Sequence, residues 1–464
     1  MLLGLLARAD AYRVPSEIWM GAYVSGKKIG YVTLRVEKSD FDGTDGYKLS
    51  SIMHDRLNVL GADLTQHVTN VIYTDKSFRP KYELFTMSSG GRTTEITARF
   101  RERTVECIIS AGAGLTAKSV PIPKGANLAA DPMFIVGDPE ATPGKRYELY
   151  YFNPLSLAVE ELSVTFLRRE KVIVDSVGYD ALVFKSITPM GEMTVWQEPN
   201  GDIVKIDAMM GINMFREPKQ QAMSGADGNS QDFAVLTCVK VAKPIVRPRE
   251  RRKLDLIVRG LQDRPLSDNR QKAVLVKGQN EVTIRYKIEA RKFDHTKSKP
   301  RPVIVPRLRH YLVASPYVDC DAESISSQAA EIVGGERNAY LACCRIRAWV
   351  YGAMKSRADI GVTRAASDVL RSRVGVCRDY AVLFAALARS IGIPTRVAVG
   401  LIYTNGAFYY HAWNECYVGE WVPFDSTLPT DFVDATHVKL GEGDATSMFS
   451  LARVIGRLSI EIKD

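Results

Sequence analysis

No apolar run in this sequence approaches the roughly 18 residues that a membrane-spanning helix requires, so no transmembrane segment is expected. The seven cysteines (Cys107, Cys238, Cys320, Cys343, Cys344, Cys377 and Cys416) form no Cys-x-x-Cys pair. That excludes zinc ribbons and thioredoxin-type redox motifs. Nor do their spacings suggest a disulfide framework, and their odd number leaves at least one thiol free in the monomer. Histidine is scarce, with six dispersed residues. There is no His-Glu-x-x-His and no Cys/His cluster at zinc spacing, so neither a metal nor a cofactor is expected. One glycine pattern, "GAGLTA" from Gly112 to Ala117, hints at a dinucleotide site. Such a site needs a helix opening at that turn, and Pro121 and Pro123 forbid a long one. The net charge is +9, and the basic residues are scattered except in "KPIVRPRERRK", Lys243 to Lys253. No stacking aromatics accompany that run, so it reads as a solvated linker and no nucleic-acid partner is expected.

What is present is an ordinary globular composition, 46% apolar and 25% charged over 464 residues. This length suggests about three domains and a core that needs no staples. The first residues, "MLLGLLARADAY", join a short apolar stretch to Ala9-Asp10-Ala11, which has the small-x-small form of a signal-peptidase site. Residues 1–16 therefore read either as the tail of a signal peptide or as a frayed N-terminus, with periplasmic or cell-envelope placement expected in the first case and cytoplasmic in the second. From 17 to 240, short alternating runs punctuated by turn residues indicate antiparallel strands. Hairpins are expected at Ser25-Gly26-Lys27-Lys28 and at Pro199-Asn200-Gly201, where Gly201 can take a left-handed conformation. Residues 241–304 read as the basic linker and a small β unit. From about 305 to 464 helical periodicity takes over, including "RNAYLACCRIRAWVYGAMK", in which Cys343, Cys344 and Trp349 read as core filling.

The stretch "RSRVGVCRDYAVLFAALARSIGIPTRVAVG", residues 371–400, places Cys377 where a glycine-led turn becomes a helix. Tyr380, Leu383, Phe384, Leu387, Ala388 and Ile391 form one apolar stripe, and Gly392 with Pro394 ends the helix. At a helix start the unpaired N–H groups and the macrodipole favour an anion, which lowers a thiol's pKa. Asp379 in the first turn works slightly against that. The bland alternative is a buried cysteine acting as a small hydrophobe. After the helix the period switches to two: "TRVAVGLIY", the turn Asn405-Gly406, "AFYYHAWNECYV", the turn Gly419-Glu420, then "WVPFDST". Helix followed by meander is α+β. A nucleophilic Cys377 needs a base and a group to orient it, and His411 and Asp425 sit on consecutive strands only a few residues out of register.

These blocks, "GVCRDYAVLFAALARSIGIPTRVAVG", "HAW" and "WVPFDST", resemble the transglutaminase-like superfamily, relatives of papain-like cysteine hydrolases. The resemblance extends weakly over "DATHVKL" and covers about 305–464. It implies a papain-like α+β C-terminal domain, which stands behind the large antiparallel β region that the alternation indicates, in a multidomain chain. It also implies Cys377 as nucleophile, His411 as general base and acid, and Asp425 as the residue holding His411. Asn414 stands where the family more often has an apolar residue, and Ser426 where it often has proline. Three functions remain open at this point: a cysteine amidase or peptidase acting through a thioester, a protein-glutamine amine transferase, or a non-catalytic envelope binding module with a vestigial triad. The expected partner is a protein or peptide substrate; oligomeric state is not legible.

Overall fold

The computed structural model describes residues 13–463, apart from 25, 60–61, 90, 112–113, 135–140, 226–232, 262–264, 277–281 and 358–363. Most of the expected leader, residues 1–12, lies outside the described residues. The chain forms two compact units, the first ending at Leu236 and the second beginning at Thr237. Among the described residues no helix is long and apolar enough to cross a membrane.

The first unit is a 14-stranded antiparallel sheet. Its first eight strands, from Ser16–Val24 to Gly114–Pro121, run outward as successive hairpins. The last six return from Arg146–Asn153 until Ile212–Arg216 pairs with Ser16–Val24. The local alternation that indicated strands becomes the two faces of this sheet, with Met20, Ala22, Leu49 and Ile72 fully buried on one of them. The strands of both expected hairpins pair, Ser25 of the first turn lying outside the described residues, and Gly201 takes φ 90°, where a side chain would be strained. The "GAGLTA" pattern flanks a hairpin between Thr104–Ala111 and Gly114–Pro121, not a strand-to-helix turn; Gly112 and Ala113 lie outside the described residues.

In the second unit, strands β1 (Lys253–Arg259), β2 (Gln271–Leu275) and β3 (Thr283–Glu289) form a sheet in the order β2, β3, β1, β8, where β8 is Ser459–Ile462. Residues 241–304 are therefore not a domain of their own. Their sheet is completed by a strand more than 150 residues away, and Gln271 exchanges buried hydrogen bonds with the Lys439 backbone at 2.8 and 3.0 Å. Alternation along one strand cannot reveal a partner so distant in sequence. The basic run is not a free linker either. Ile245 in it is buried, and Arg249 forms an ion pair with Asp434 at 2.8 Å.

Helices α1 (Glu323–Val333), α2 (Ala339–Ala353) and α3 (Ala366–Ser372) pack around α4 (Cys377–Ser390). On its other side α4 meets β4 (Thr395–Thr404) and β5 (Ala407–Tyr417), which pair through the hairpin at Asn405 (φ 48°) and Gly406 (φ 85°). The left-handed backbone at both turn residues is what a tight two-residue hairpin requires. β6 (Trp421–Phe424) pairs with β5, and β7 (Val438–Gly443) with β4. The apolar stripe read on α4 understates its burial, since every residue from Asp379 to Arg389 is buried. A helix enclosed by helices on one side and a sheet on the other has no solvated face. Ala381, Ala385 and Ala386 keep the approach close, and Ala381 packs against Val397, Val399 and Ala412 of the sheet. Cys343 faces this core and is fully buried, while its neighbour Cys344 is half-buried, as adjacent helical positions require.

Candidate active site

The turn into α4 is locked before the cysteine is reached. Val376 has extended backbone (φ −106°, ψ −179°), and Cys377 is the first helical residue. The Asp379 carboxylate accepts from the Val376 N–H at 2.9 Å and from Arg364 Nε at 3.2 Å. Arg364 Nη2 also pairs with it at 3.1 Å. That guanidinium balances the negative charge that in the sequence stood against a nearby thiolate. At Gly375 a Cβ would collide with the Asp379 carboxylate, so the close approach itself requires glycine.

β5 carries His411 and Trp413 on one face. The pairing Asn414↔Phe424, continued by one step, would put Asp425 opposite Trp413, two residues from His411. The carboxylate reaches across that offset, and His411 Nε2 donates to Asp425 Oδ2 at 2.8 Å. The imidazole's other nitrogen, Nδ1, is not engaged by Asp425, and Cys377 lies near enough to the ring for His411 to act on its thiol. Asp425 Oδ1 accepts from the Thr427 N–H at 2.8 Å and from Thr427 Oγ1 at 2.7 Å. Cys377 is half-buried, whereas His411 and Asp425 are buried. The structure thus brings all three residues indicated by the sequence together as a chain of neighbours, with a 2.8 Å hydrogen bond between His411 and Asp425.

The electrostatics follow from that chain. Burial alone would raise the Cys377 thiol, but the His411 hydrogen bond and charge, the Ala412 backbone N–H and the Arg378 guanidinium outweigh it and hold the thiol below its ordinary value. Burial likewise works against a charged His411, yet the Asp425 carboxylate and the thiol push the ring up to about 10. Asp425 is held well below the usual carboxylate range by His411 and His437, against its burial. A thiolate beside an imidazolium is the species this arrangement favours.

Residues 326–426, which contain Cys377, His411 and Asp425, match the family model of the transglutaminase-like superfamily. The second unit carries a transglutaminase-like domain. Residues 18–216 match a domain described as a protein of unknown function, DUF3108. Comparison with curated proteins returns no match. Among solved structures, a candidate cysteine protease from Cytophaga hutchinsonii aligns over 45% of this chain and 81% of its own at 21% identity, TM-score 0.35. A β-barrel-like protein of the domain of unknown function DUF1849 from Brucella abortus aligns over 44% and 97% at 9% identity, TM-score 0.33. A candidate protease from Parabacteroides distasonis aligns over 83% and 69% at 11% identity, TM-score 0.22.

Asn414 of the transglutaminase-like domain, one of its two departures from the usual pattern, is fully buried and donates from Nδ2 to the Ala381 carbonyl at 2.9 Å, which ties β5 to α4. Ser426, the other, is buried, and its Oγ finds no partner among the described residues. Sequence reading missed Arg364 and His437, and saw Gly375 only as the lead of a turn. Arg364 acts through an ion pair with Asp379, and Gly375 through a close approach to that carboxylate, neither of which a motif spells out. His437 lies in the "DATHVKL" block, so the signal was present without a role attached to it. Among the described residues, two groups place ligand-type atoms within 4.8 Å of one another. In Asp268, Glu415 and Glu442 a cation is already supplied by Lys439 Nζ, at 2.5, 3.0 and 2.7 Å. In His411, Asp425 and His437 the donors are already engaged in hydrogen bonds to one carboxylate oxygen.

Proposed function

We propose that the transglutaminase-like domain cleaves an amide or peptide bond through a thioester on Cys377. The observation that carries this reading is the His411 ring, hydrogen-bonded to the Asp425 carboxylate at 2.8 Å and next to the thiol at the start of α4. In the first step the thiolate sulfur bonds to the carbonyl carbon, the C–N bond breaks, and His411 passes its proton to the departing amine. The transient oxyanion meets the unpaired N–H groups at the helix start, that of Cys377 first. In the second step His411 takes a proton from water, the water oxygen bonds to the acyl carbon as the C–S bond breaks, and the thiolate–imidazolium pair is restored with release of the acid. Asp425 stays ionised throughout and keeps the imidazole turned toward the sulfur. Water at about 55 M resolves the thioester unless a site excludes it; a protein-glutamine amine transferase is the reading that such exclusion would favour.

The test is incubation with candidate cell-envelope peptides, acid quenching, and mass spectrometry of the Cys377 peptide, with Cys377→Ala as control. An acyl adduct on Cys377 together with free-acid product supports hydrolysis. Efficient incorporation of a labelled primary amine with little free acid replaces hydrolysis by transfer. No adduct and no turnover across a broad peptide set, in folded protein, removes the catalytic reading and leaves the binding-module one.

A further inference from the structure

Asp425 has a second histidine on it. His437 lies eleven residues past the matched family region, just before β7, and its ring is 1% exposed. Its Nε2 is 3.1 Å from Asp425 Oδ2, the oxygen that also accepts from His411 Nε2. A carboxylate oxygen can only accept, so both ring nitrogens that face it must carry protons. With the two Thr427 donors on Oδ1, the carboxylate meets four donors from three residues and its plane is fixed.

His437 is itself held from the far side. Its Nδ1 lies 3.2 Å from the Asp434 carbonyl and 3.6 Å from the Asp434 carboxylate, and Trp413 packs edge-on with ring centroids 5.4 Å apart. Asp434 is anchored by Arg249 at 2.8 Å, by the Thr436 N–H at 2.8 Å, and by Arg270 through its carbonyl. The charged or titratable groups around the His437 ring are thus Asp425, Asp434 and His411, with Arg249 and Arg270 behind Asp434. A histidine that only filled the core would send its donors to nearby backbone; this one sends one of them to the oxygen that orients the base.

We propose that His437 is a positioning residue of the thiol site, holding the Asp425 carboxylate so that His411 keeps Nε2 toward Asp425 and Nδ1 toward Cys377. Arg249 and Asp434 form its outer anchor, which gives the basic run near residue 249 a part in the site. The inference rests on Cys377 being the nucleophile of the preceding section.

The readout is the iodoacetamide alkylation rate of Cys377 from pH 5 to 9, followed by peptide mass spectrometry on the full chain. Variants are His437→Phe, His437→Gln and Arg249→Met, each checked for folding by circular dichroism and melting. Losing the donor lets Asp425 turn and weakens the thiolate–imidazolium pair. His437→Phe is expected to move the profile alkaline by about one pH unit, so alkylation at pH 6 slows about tenfold. His437→Gln, whose side-chain N–H can donate in the same direction, should recover most of that loss. Arg249→Met should give a smaller shift of the same sign, and it decides the matter if His437→Phe does not fold. A folded His437→Phe with an unshifted profile, a Gln variant no better than Phe, or an unshifted Arg249→Met where Phe cannot be read would overturn the proposal. If the wild-type thiol shows no enhanced reactivity at pH 6, the nucleophile reading falls and His437 with it. A reactive wild type beside an unshifted variant removes His437 alone.

Discussion

Replacing His411 by alanine takes away the two largest influences that lower the Cys377 thiol, the ring's hydrogen bond and its charge, and leaves burial acting the other way. A thiol at an ordinary pKa of about 8.5 is only about 0.3% thiolate at pH 6, so a thiol held fully as thiolate there has about a 300-fold advantage in reactive species. Part of this is returned, because a less basic thiolate is a weaker nucleophile. With a Brønsted slope of about 0.45, each unit by which the thiol is lowered returns about threefold. The net expectation is that wild-type Cys377 alkylates at pH 6 several-fold faster than in His411→Ala, the difference fading as the pH approaches 9. The other cysteines are internal controls. Burial pushes Cys107 and Cys344 up to about 12, Cys343 well above its ordinary value, and Cys320 upward as well. Peptide-resolved mass spectrometry after brief iodoacetamide exposure reads all seven at once. A folded His411→Ala protein whose Cys377 alkylates at pH 6 within twofold of wild type would refute the reasoning.

Stability should carry the signature of the same pair. His411 is raised from 6.5 to about 10 in the folded state, so its contribution is full below pH 6.5 and is lost as pH rises through about 10. Asp425 is depressed, so its contribution is present above 3.8 and is lost as pH falls toward its folded value. Asp425→Asn should therefore flatten the pH dependence of the urea midpoint in both windows, and an unchanged curve would contradict the pairing. Gly375→Ala drives a methyl into a carboxylate held by Arg364 and the Val376 N–H, and should cost about 2 kcal/mol together with much of the Cys377 reactivity. Denaturation and alkylation measured on the same sample check both effects. Lys439→Ala leaves Asp268, Glu415 and Glu442 without the cation between them and should cost about 3 kcal/mol, read as a lowered urea midpoint. A shift of less than about 1 kcal/mol would show that Arg396, which pairs with Glu415 and Glu442 at 2.6 Å, already suffices.

The sequence by itself determined the local elements of this protein and the residue types of its site. Period-two alternation specifies strands wherever one face is buried, and Asn405-Gly406 specifies a turn because its backbone needs two left-handed residues. The Cys377, His411 and Asp425 blocks were legible for a similar reason, since a helix start and a short hairpin are local features. What the tertiary structure decided is everything that depends on contacts distant in the chain. The strand near residue 460 completes the sheet begun at 253, so residues 241–304 lose their separate identity. Enclosure on both sides buries α4 almost entirely, beyond what its stripe suggested. Arg364 neutralises Asp379 from outside the helix, and Arg249, read from its neighbours as part of a solvated run, ends on the buried Asp434. His437 gains its place on Asp425 only because β7 pairs with β4 on the side away from β5, in the same sheet. A single sequence records which side chains can donate or accept; only the packed chain decides which of them meet.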